Sequence, residues 1–162
     1  MVVGASGVGK TSFLKQVTEK KFVQFQKSTV EVTFKRYYAL DYGSILFTIW
    51  EIGGEESRWR DAYYRNADCA IIMYDMKRNR NSVFSYYQEI KKQCGKIPIV
   101  LVGNKSDEGS YMVEFKRENI VNQFQCSALH AQNIHLPFLW LSKRLTEIPN
   151  LQLILLNEIF YE

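Results

Sequence analysis

The glycine-rich segment from Gly4 to Thr11, which reads GASGVGKT, has residue types and a spacing suited to binding phosphate. It fits the pattern G-x-x-x-x-G-K-[ST]. Glycines let the backbone wrap closely around an anion and point its N–H groups inward, and the helix that follows contributes its positive N-terminal end. Lys10 would supply a cation to the β- and γ-phosphates, and the Thr11 hydroxyl would ligate the accompanying Mg²⁺. The alternative is a glycine turn with a solvated lysine. The predicted phosphate site comprises Ser6, Gly7, Val8, Gly9, Lys10, Thr11 and Ser12.

A second polar motif, Asn104-Lys105-Ser106-Asp107, follows an apolar run that ends at Val102. The Asp107 carboxylate can accept hydrogen bonds from both the N1–H and the exocyclic amine of guanine. Adenine lacks that amine and presents an acceptor at N1, and an unpaired buried acceptor costs about 1–3 kcal/mol. Asn104 would brace the surrounding loops, and the stem of Lys105 would lie against the base. The motif therefore predicts guanine recognition, with an ordinary polar turn as the alternative.

A third segment, Cys126-Ser127-Ala128, lies directly after the last strand signal. Its backbone N–H groups could donate to the carbonyl oxygen of guanine. We therefore add Ser127 and Ala128 to the predicted nucleotide-binding residues.

The hydrophobic pattern predicts the elements that must position these motifs. Strand signals lie at 2–3, 30–35, 45–50, 69–74, 97–102 and 120–126, and helical signals lie at 10–20, at 83–94 and from Pro137 onward. The runs 69–74 and 97–102 are apolar throughout, which suits strands buried on both faces of a parallel sheet. This order predicts a three-layer α/β domain that binds ligands beyond the carboxyl ends of its strands. Only Met1 to Val3 precede the glycine turn, so either the first strand is short or the chain begins upstream.

The composition restricts the classes of protein to which the chain can belong. Its 162 residues are 46% hydrophobic and 23% charged, which is typical of one soluble globular domain. Neither a membrane span nor a disulfide scaffold fits, because no apolar run reaches about 18 residues and there are three cysteines. The net charge of +4 is too modest to imply direct nucleic-acid binding. No basic residue follows Arg144, so the surface is either a solvated basic face or one that docks an acidic partner protein.

These motifs together resemble the small GTPase superfamily. Thr29 lies 18 positions after Thr11, where the superfamily has its switch I threonine, and Phe22 lies where an aromatic residue flanks the guanine. The segment 50–56, WEIGGEE, stands where the superfamily has the switch II sequence WDTAGQE. The resemblance implies a three-layer P-loop G domain with a mostly parallel six-stranded sheet, one antiparallel edge strand and helices on both faces. It also implies that GTP or GDP is bound with Mg²⁺, that Thr29 and Gly54 contact the nucleotide, and that the metal is held by Thr11, Thr29 and Glu51.

Within the superfamily the chain is most similar to the Ran family over residues 2–152. The stretches that carry this resemblance are 60–64 (RDAYY), 69–75 (CAIIMYD), 97–101 (IPIVL), 137–141 (PFLWL) and 149–151 (PNL). In the first third of the chain Rab proteins match about as well, and Ser6 is Rab-like. We interpret residues 1–150 as a single G domain and 151–162 as a short tail, which either packs on that domain or binds a partner.

The Ran resemblance implies a switch in nucleocytoplasmic transport that is present in the cytoplasm and the nucleus. The implied partners are importin- and exportin-type receptors, an exchange factor, a GTPase-activating protein and Ran-binding domains. Lys116 and Arg117 fall near a basic stretch that Ran offers to transport receptors. We expect a monomer. We also expect no membrane anchor, because no cysteine lies near the C-terminus for prenylation.

The departures from the superfamily pattern cluster on residues that would act in hydrolysis. Glu55 replaces the glutamine that positions water, and a carboxylate can only accept hydrogen bonds where an amide also donates. Glu55 could repel the phosphates or act as a general base, so the sign of its effect is open. Glu51 is one methylene longer than the usual metal-proximal aspartate. The candidate catalytic residues are Glu55, Thr29, Gly54 and Lys10.

Four functions therefore remain open from the sequence. The first is a Ran-like switch whose GTP hydrolysis is slow or altered. The second is a module that binds GTP or GDP without cycling. The third is a Rab-like GTPase of vesicle traffic, and the most remote is a nucleoside or nucleotide kinase, which would not need Asn104 and Asp107.

Overall fold

The computed structural model describes residues 1–24, 31–53, 60–78, 82–109, 112–113 and 120–153. The predicted site residues Thr29, Gly54 and Glu55 lie outside these ranges, as do Lys116, Arg117 and positions 154–162. The elements in chain order are β1 (Val2–Val3), α1 (Lys10–Glu19), β2 (Glu31–Leu40), β3 (Gly43–Ile52), α2 (Arg60–Arg65), β4 (Ala70–Asp75), α3 (Ser82–Cys94), β5 (Ile99–Asn104), β6 (Ile120–Gln125) and α4 (Leu136–Thr146).

Within the described residues, the strands form one six-stranded sheet in the order β2-β3-β1-β4-β5-β6. Strand β1 runs parallel to both β3 and β4, and β4, β5 and β6 are parallel to one another. Strand β2 pairs antiparallel with β3, from Leu40 opposite Gly43 to Glu31 opposite Ile52. In the part of the chain that the structure describes, this arrangement confirms the predicted mostly parallel sheet with one antiparallel edge strand.

Helices cover both faces of the sheet, and the two residues of β1 each contribute to the core on a different face. Val2 belongs to a buried cluster with Phe13 and Leu14 of α1 and Phe138 of α4. Val3 points the opposite way, as successive strand residues do, into a second cluster. That cluster contains Tyr64 of α2 together with Val83 and Ile90 of α3. The predicted three-layer α/β/α architecture is therefore confirmed.

Strands β4 and β5 are buried at all six of their positions, as their unbroken apolar sequences predict. They pair in parallel register, so their carboxyl ends, Asp75 and Asn104, lie side by side. Because ligands of such sheets bind at the carboxyl ends of the strands, this register brings the second polar motif to the binding edge.

Two elements differ from the sequence prediction. Helix α2 was not predicted, because its sequence RDAYYR is short and lacks an extended 3.6-residue apolar pattern. Helix α4 begins one residue before Pro137, at Leu136, and His135 is its N-cap residue. No helix among the described residues is long and apolar enough to span a membrane.

Strand β1 has two residues, Val2 and Val3, and makes a short contact with β3. Among the described residues, the register pair between these strands is Val2 opposite Glu51. The remainder of β3, from Ile45 to Trp50, lines a cavity of about 350 Å³ that Met1, Cys69 and α4 residues also border. The first residues of the predicted tail contact the hairpin of β2 and β3, because the Asp41 N–H donates to the Gln152 carbonyl at 3.3 Å.

Candidate functional site

The glycine-rich segment connects the carboxyl end of β1 to the start of α1. Gly9 is the N-cap residue of α1 and has a φ of +91°, in the left-handed region that favours glycine. A Cβ on Gly9 would also lie 2.5 Å from Nδ2 of Asn104. At Gly4 a Cβ would overlap the carbonyl oxygen of Met73 in β4. The two glycines that the pattern fixes are thus required by close approach to neighbouring segments, and Gly9 is also required by its backbone conformation.

Lys10 folds its side chain back over this segment. Its ammonium donates to the carbonyl oxygen of Gly4 at 2.7 Å and to that of Ala5 at 3.2 Å, and the residue is 7% exposed. Burial lowers the pKa of Lys10, while the charge of nearby Glu51 opposes that shift. A buried cation surrounded by carbonyl dipoles at a helix N-terminus is suited to an anionic phosphate.

Thr11 and Glu51 form a hydrogen-bonded pair beside Lys10. The Thr11 hydroxyl donates to Oε1 of Glu51 at 2.5 Å, and Glu51 is 2% exposed at the end of β3. Burial raises the pKa of Glu51, and its hydrogen bond with Thr11 and the charge of Lys10 oppose this shift. The other carboxylate oxygen, Oε2, is buried and has no hydrogen-bond partner among the described residues. An unsatisfied carboxylate oxygen beside a hydroxyl fits a hard cation such as Mg²⁺, which prefers oxygen ligands.

Asn104 joins the two polar motifs. Its Nδ2 donates to the Val8 carbonyl at 2.9 Å, and its Oδ1 accepts from the Ala128 N–H at 3.1 Å. The side chain is 2% exposed, so both bonds are shielded from water. The bracing role predicted for Asn104 is confirmed, because one side chain spans the phosphate segment and the segment after β6.

Asp107 lies at the exposed rim of the same edge. One of its carboxylate oxygens accepts a hydrogen bond from the Ser127 hydroxyl at 2.5 Å. The Ser127 oxygen in turn accepts from the N–H of His130 at 3.2 Å, which fixes the direction of the hydroxyl. Ser127 therefore orients the carboxylate that the sequence assigns to guanine recognition, while Asp107 itself stays accessible to a ligand.

Comparison with known protein families shows the family of the chain that carries this site. A family model described as the Ras family matches residues 1–147. The chain belongs to the Ras family of small GTPases. The match spans every element from β1 to α4, including the phosphate segment and the 104–107 motif. The protein is thus a GTP-binding switch of the small GTPase type, and the predicted superfamily membership is confirmed. Small GTPases of this family generally bind guanine nucleotide with Mg²⁺.

The segment after β6 in this Ras-family site has its own internal hydrogen bonds. The N–H groups of Cys126, Ser127 and Ala128, which the sequence assigns to the guanine carbonyl oxygen, each donate within the protein. Their acceptors are the Gly103 carbonyl at 2.8 Å, the Gln132 carbonyl at 3.1 Å and Oδ1 of Asn104 at 3.1 Å.

The structure also places the remaining nucleotide-binding candidates of this Ras-family protein that lie within the described ranges. Ser6 and Gly7 are exposed on the phosphate segment, and Phe22 is 38% exposed. The Ser12 hydroxyl donates to the Val23 carbonyl at 2.5 Å, so it ties α1 to the segment that carries Phe22.

A charged residue at this edge that belongs to neither polar motif is Asp75, at the end of β4. Its Oδ2 accepts from the Lys105 ammonium at 2.8 Å, and that ammonium also donates to the Gly7 carbonyl at 3.0 Å. Asp75 carries no sequence signal of its own, since it is the last residue of an otherwise apolar strand. Only the register that aligns Asp75 with Asn104 shows the contact.

Proposed function

We propose that this Ras-family protein is a Ran-like guanine-nucleotide-dependent switch that serves nucleocytoplasmic transport and hydrolyses GTP slowly or in an altered way. The observation that supports guanine binding is the bridge formed by Asn104 between Val8 and Ala128. Through this bridge the phosphate segment and the Asp107–Ser127 pair are held at one edge of the sheet. A nucleotide that contacts both would be recognised at its phosphates and at its base.

Different residues of the site would bind the phosphates, the metal and the base. Lys10 would lie between the β- and γ-phosphates and neutralise part of their charge, and the N–H groups at the start of α1 would donate to phosphate oxygens. Mg²⁺, held by Thr11 and Glu51 and by resemblance Thr29, would neutralise further charge on the phosphates. Asp107 would accept from the guanine N1–H and amine. The presence or absence of the γ-phosphate would then change the segments that carry Thr29 and Gly54.

The proposed hydrolysis converts GTP and water to GDP and phosphate, and Glu55 is the reason to expect an altered rate. A glutamine can donate to the γ-phosphate while accepting from water, whereas a carboxylate cannot donate. Glu55 would therefore either slow the attack of water through charge repulsion or assist it as a general base.

The resemblance to Ran supports the cellular part of the proposal. We propose importin- and exportin-type receptors, an exchange factor, a GTPase-activating protein and Ran-binding domains as partners. We further propose that the protein acts as a monomer in the cytoplasm and the nucleus.

A second candidate function is a module that binds GTP or GDP without cycling. The observation that favours it is the direct bond from Thr11 to the buried Glu51 at 2.5 Å. The longer side chain brings a carboxylate onto the hydroxyl that is expected to ligate the metal. A displaced or reshaped metal site would retain nucleotide binding while impairing turnover.

One experiment separates these functions. The purified protein is denatured, and the released nucleotide is identified by chromatography. A second sample is loaded with GTP, and phosphate release is followed in a single turnover beside Lys10→Ala as a binding-deficient control. Release at least tenfold above the control supports the switch, and bound GTP that persists for hours supports the non-cycling module.

Two further variants and one negative result complete this experiment. Glu55→Gln restores the usual amide, and a changed rate of release would assign that position to hydrolysis. Glu51→Asp shortens the carboxylate, and we expect it to change the Mg²⁺ concentration needed to retain nucleotide. Absence of any bound or loadable guanine nucleotide would contradict both candidate functions.

A further inference from the structure

Asp75 is a buried carboxylate at the binding edge that belongs to neither nucleotide motif. It is 5% exposed at the end of β4, and its Oδ1 accepts from the Lys77 N–H at 2.9 Å. Its Oδ2 accepts from the Lys105 ammonium at 2.8 Å. A buried carboxylate requires compensating donors. The Lys77 N–H is one, and the Lys105 ammonium is another that also supplies an opposite charge.

Lys105 is held in an unusual backbone conformation at the same place. Its φ is +64°, in the left-handed region that few residues other than glycine adopt. Its ammonium donates to Asp75 and also to the Gly7 carbonyl at 3.0 Å. The Lys105 side chain therefore connects its own segment, after β5, to the end of β4 and to the phosphate segment after β1.

The Asp75–Lys105 pair differs from a second ion pair beside it. Lys77 and Glu108 are joined at 3.4 Å, with side chains that are 56% and 52% exposed. Exposed pairs of this kind contribute little, because water screens them and two long side chains lose rotamer freedom. The Asp75 side chain is 7% exposed and that of Lys105 is 34% exposed, so their attraction is less screened. The exposed pair is thus a matched control within the same loops.

We propose that Asp75 is a positioning residue of the nucleotide site, which holds Lys105 across the phosphate segment and so prolongs the lifetime of bound guanine nucleotide. This inference rests on the proposed function. Lys105 has several rotatable bonds, and without a fixed anion its ammonium would exchange among water and the Gly7 carbonyl. The stem that is expected to cover the base would then open more often. Nucleotide would leave faster, while its association would change little.

The test is a double-mutant cycle on nucleotide release. The probe is GDP carrying a fluorescent N-methylanthraniloyl group, chased with excess unlabelled GDP. Asp75→Asn keeps the shape of the side chain and removes its charge, and Lys105→Met keeps the stem and removes the ammonium. We expect Asp75→Asn to speed release about tenfold and Lys105→Met to speed it at least as much. The double variant should release GDP at the rate of Lys105→Met, because Asp75 acts through Lys105.

The controls separate positioning from general destabilisation. Lys77→Met breaks the exposed pair and should change the release rate less than twofold. If Asp75→Asn fails to fold, Asp75→Glu retains the charge at a displaced position. Its smaller acceleration should likewise vanish in the Lys105→Met background. Thermal unfolding of the GDP-loaded proteins reports folding independently of the release rate.

Three outcomes would overturn the inference. The first is a release rate for the folded Asp75 variants within twofold of the unmodified protein. The second is an equal acceleration by the Asp75 substitution with and without Lys105, which would indicate a structural effect. Both would leave the proposed function intact. The third is an unmodified protein that does not bind the labelled GDP, which would contradict the proposed function itself and this inference with it.

Discussion

Substitution of Asn104 is the most direct way to test how the binding edge is assembled. Asn104 is 2% exposed and makes two hydrogen bonds, to the Val8 carbonyl at 2.9 Å and from the Ala128 N–H at 3.1 Å. Asn104→Ala removes both bonds and leaves a buried carbonyl and a buried N–H without partners. Asn104→Asp keeps the acceptor for Ala128 but places a carboxylate oxygen against the Val8 carbonyl.

The contacts set the size of the expected effect. Each buried polar group left unsatisfied costs about 1–3 kcal/mol, so Asn104→Ala should lower the free energy of unfolding by roughly 2–6 kcal/mol. For a chain of this length each kcal/mol corresponds to about 2–4 °C in Tm. We expect Asn104→Asp to be destabilising as well, because it buries a charge next to a carbonyl oxygen. Both variants should also bind GDP more weakly, since the Val8 segment must hold its N–H groups towards the phosphates.

The assay is urea unfolding of the GDP-loaded protein, with binding of fluorescent GDP measured in parallel. Asn66→Ala is a matched control, because Asn66 Nδ2 donates to the Ala62 carbonyl at 2.9 Å on the exposed surface. That control should change the unfolding free energy by less than about 0.5 kcal/mol. An Asn104→Ala protein as stable as Asn66→Ala, with unchanged GDP affinity, would refute the bracing role.

Three further substitutions test other parts of the structure. Asp107→Asn removes the charged acceptor for guanine and should weaken GDP binding at least about 100-fold while improving binding of xanthosine diphosphate, whose C2 oxygen can accept from the new amide; equal affinities by titration would contradict the assignment. Burial, with Arg36 and Lys20 nearby, lowers the pKa of His135 from 6.5, so the unfolded chain binds the proton first. The contribution of neutral His135 to the free energy of unfolding should therefore be fully present above pH 6.5 and decrease as the pH falls below it. In urea unfolding at pH 7.5 and 5.5, His135→Asn should reduce the difference in stability between the two pH values. Phe138→Ala removes a buried ring and should cost about 3–5 kcal/mol, against well under 1 kcal/mol for Leu145→Ala at the exposed end of the same helix, and calorimetry that showed similar losses would argue against a core role.

The fold class can be predicted from the sequence because the hydrophobic patterns of the strands are local. The unbroken apolar runs of β4 and β5 are buried on both faces, and the alternating pattern of β2 marks the edge hairpin. The sequence does not predict helix α2, because the six residues RDAYYR carry no periodic apolar signal, and its formation depends on burying Tyr64 against α3.

The sequence predicts which residues form the site better than it predicts the hydrogen bonds between them. Lys10, Thr11, Asn104 and Asp107 all lie at one edge of the sheet, as the motif spacing indicates. The hydrogen bonds of the backbone after β6 could not be predicted, because they depend on which acceptors fold back onto that segment. Gln132 and Asn104 take the donors that were expected to reach the base.

The class of the protein follows from local motifs, since phosphate binding and guanine recognition each require particular residue types at short, fixed spacings. The contacts between side chains of distant segments depend on how the strands pair. Glu51 meets Thr11 through the pairing of β1 with β3, and Asp75 meets Lys105 through the register of β4 with β5. These partners are 40 and 30 residues apart in the chain, so no local pattern records them. The physical reason is that a buried charge finds its partner by the packing of strands and not by its position in the sequence.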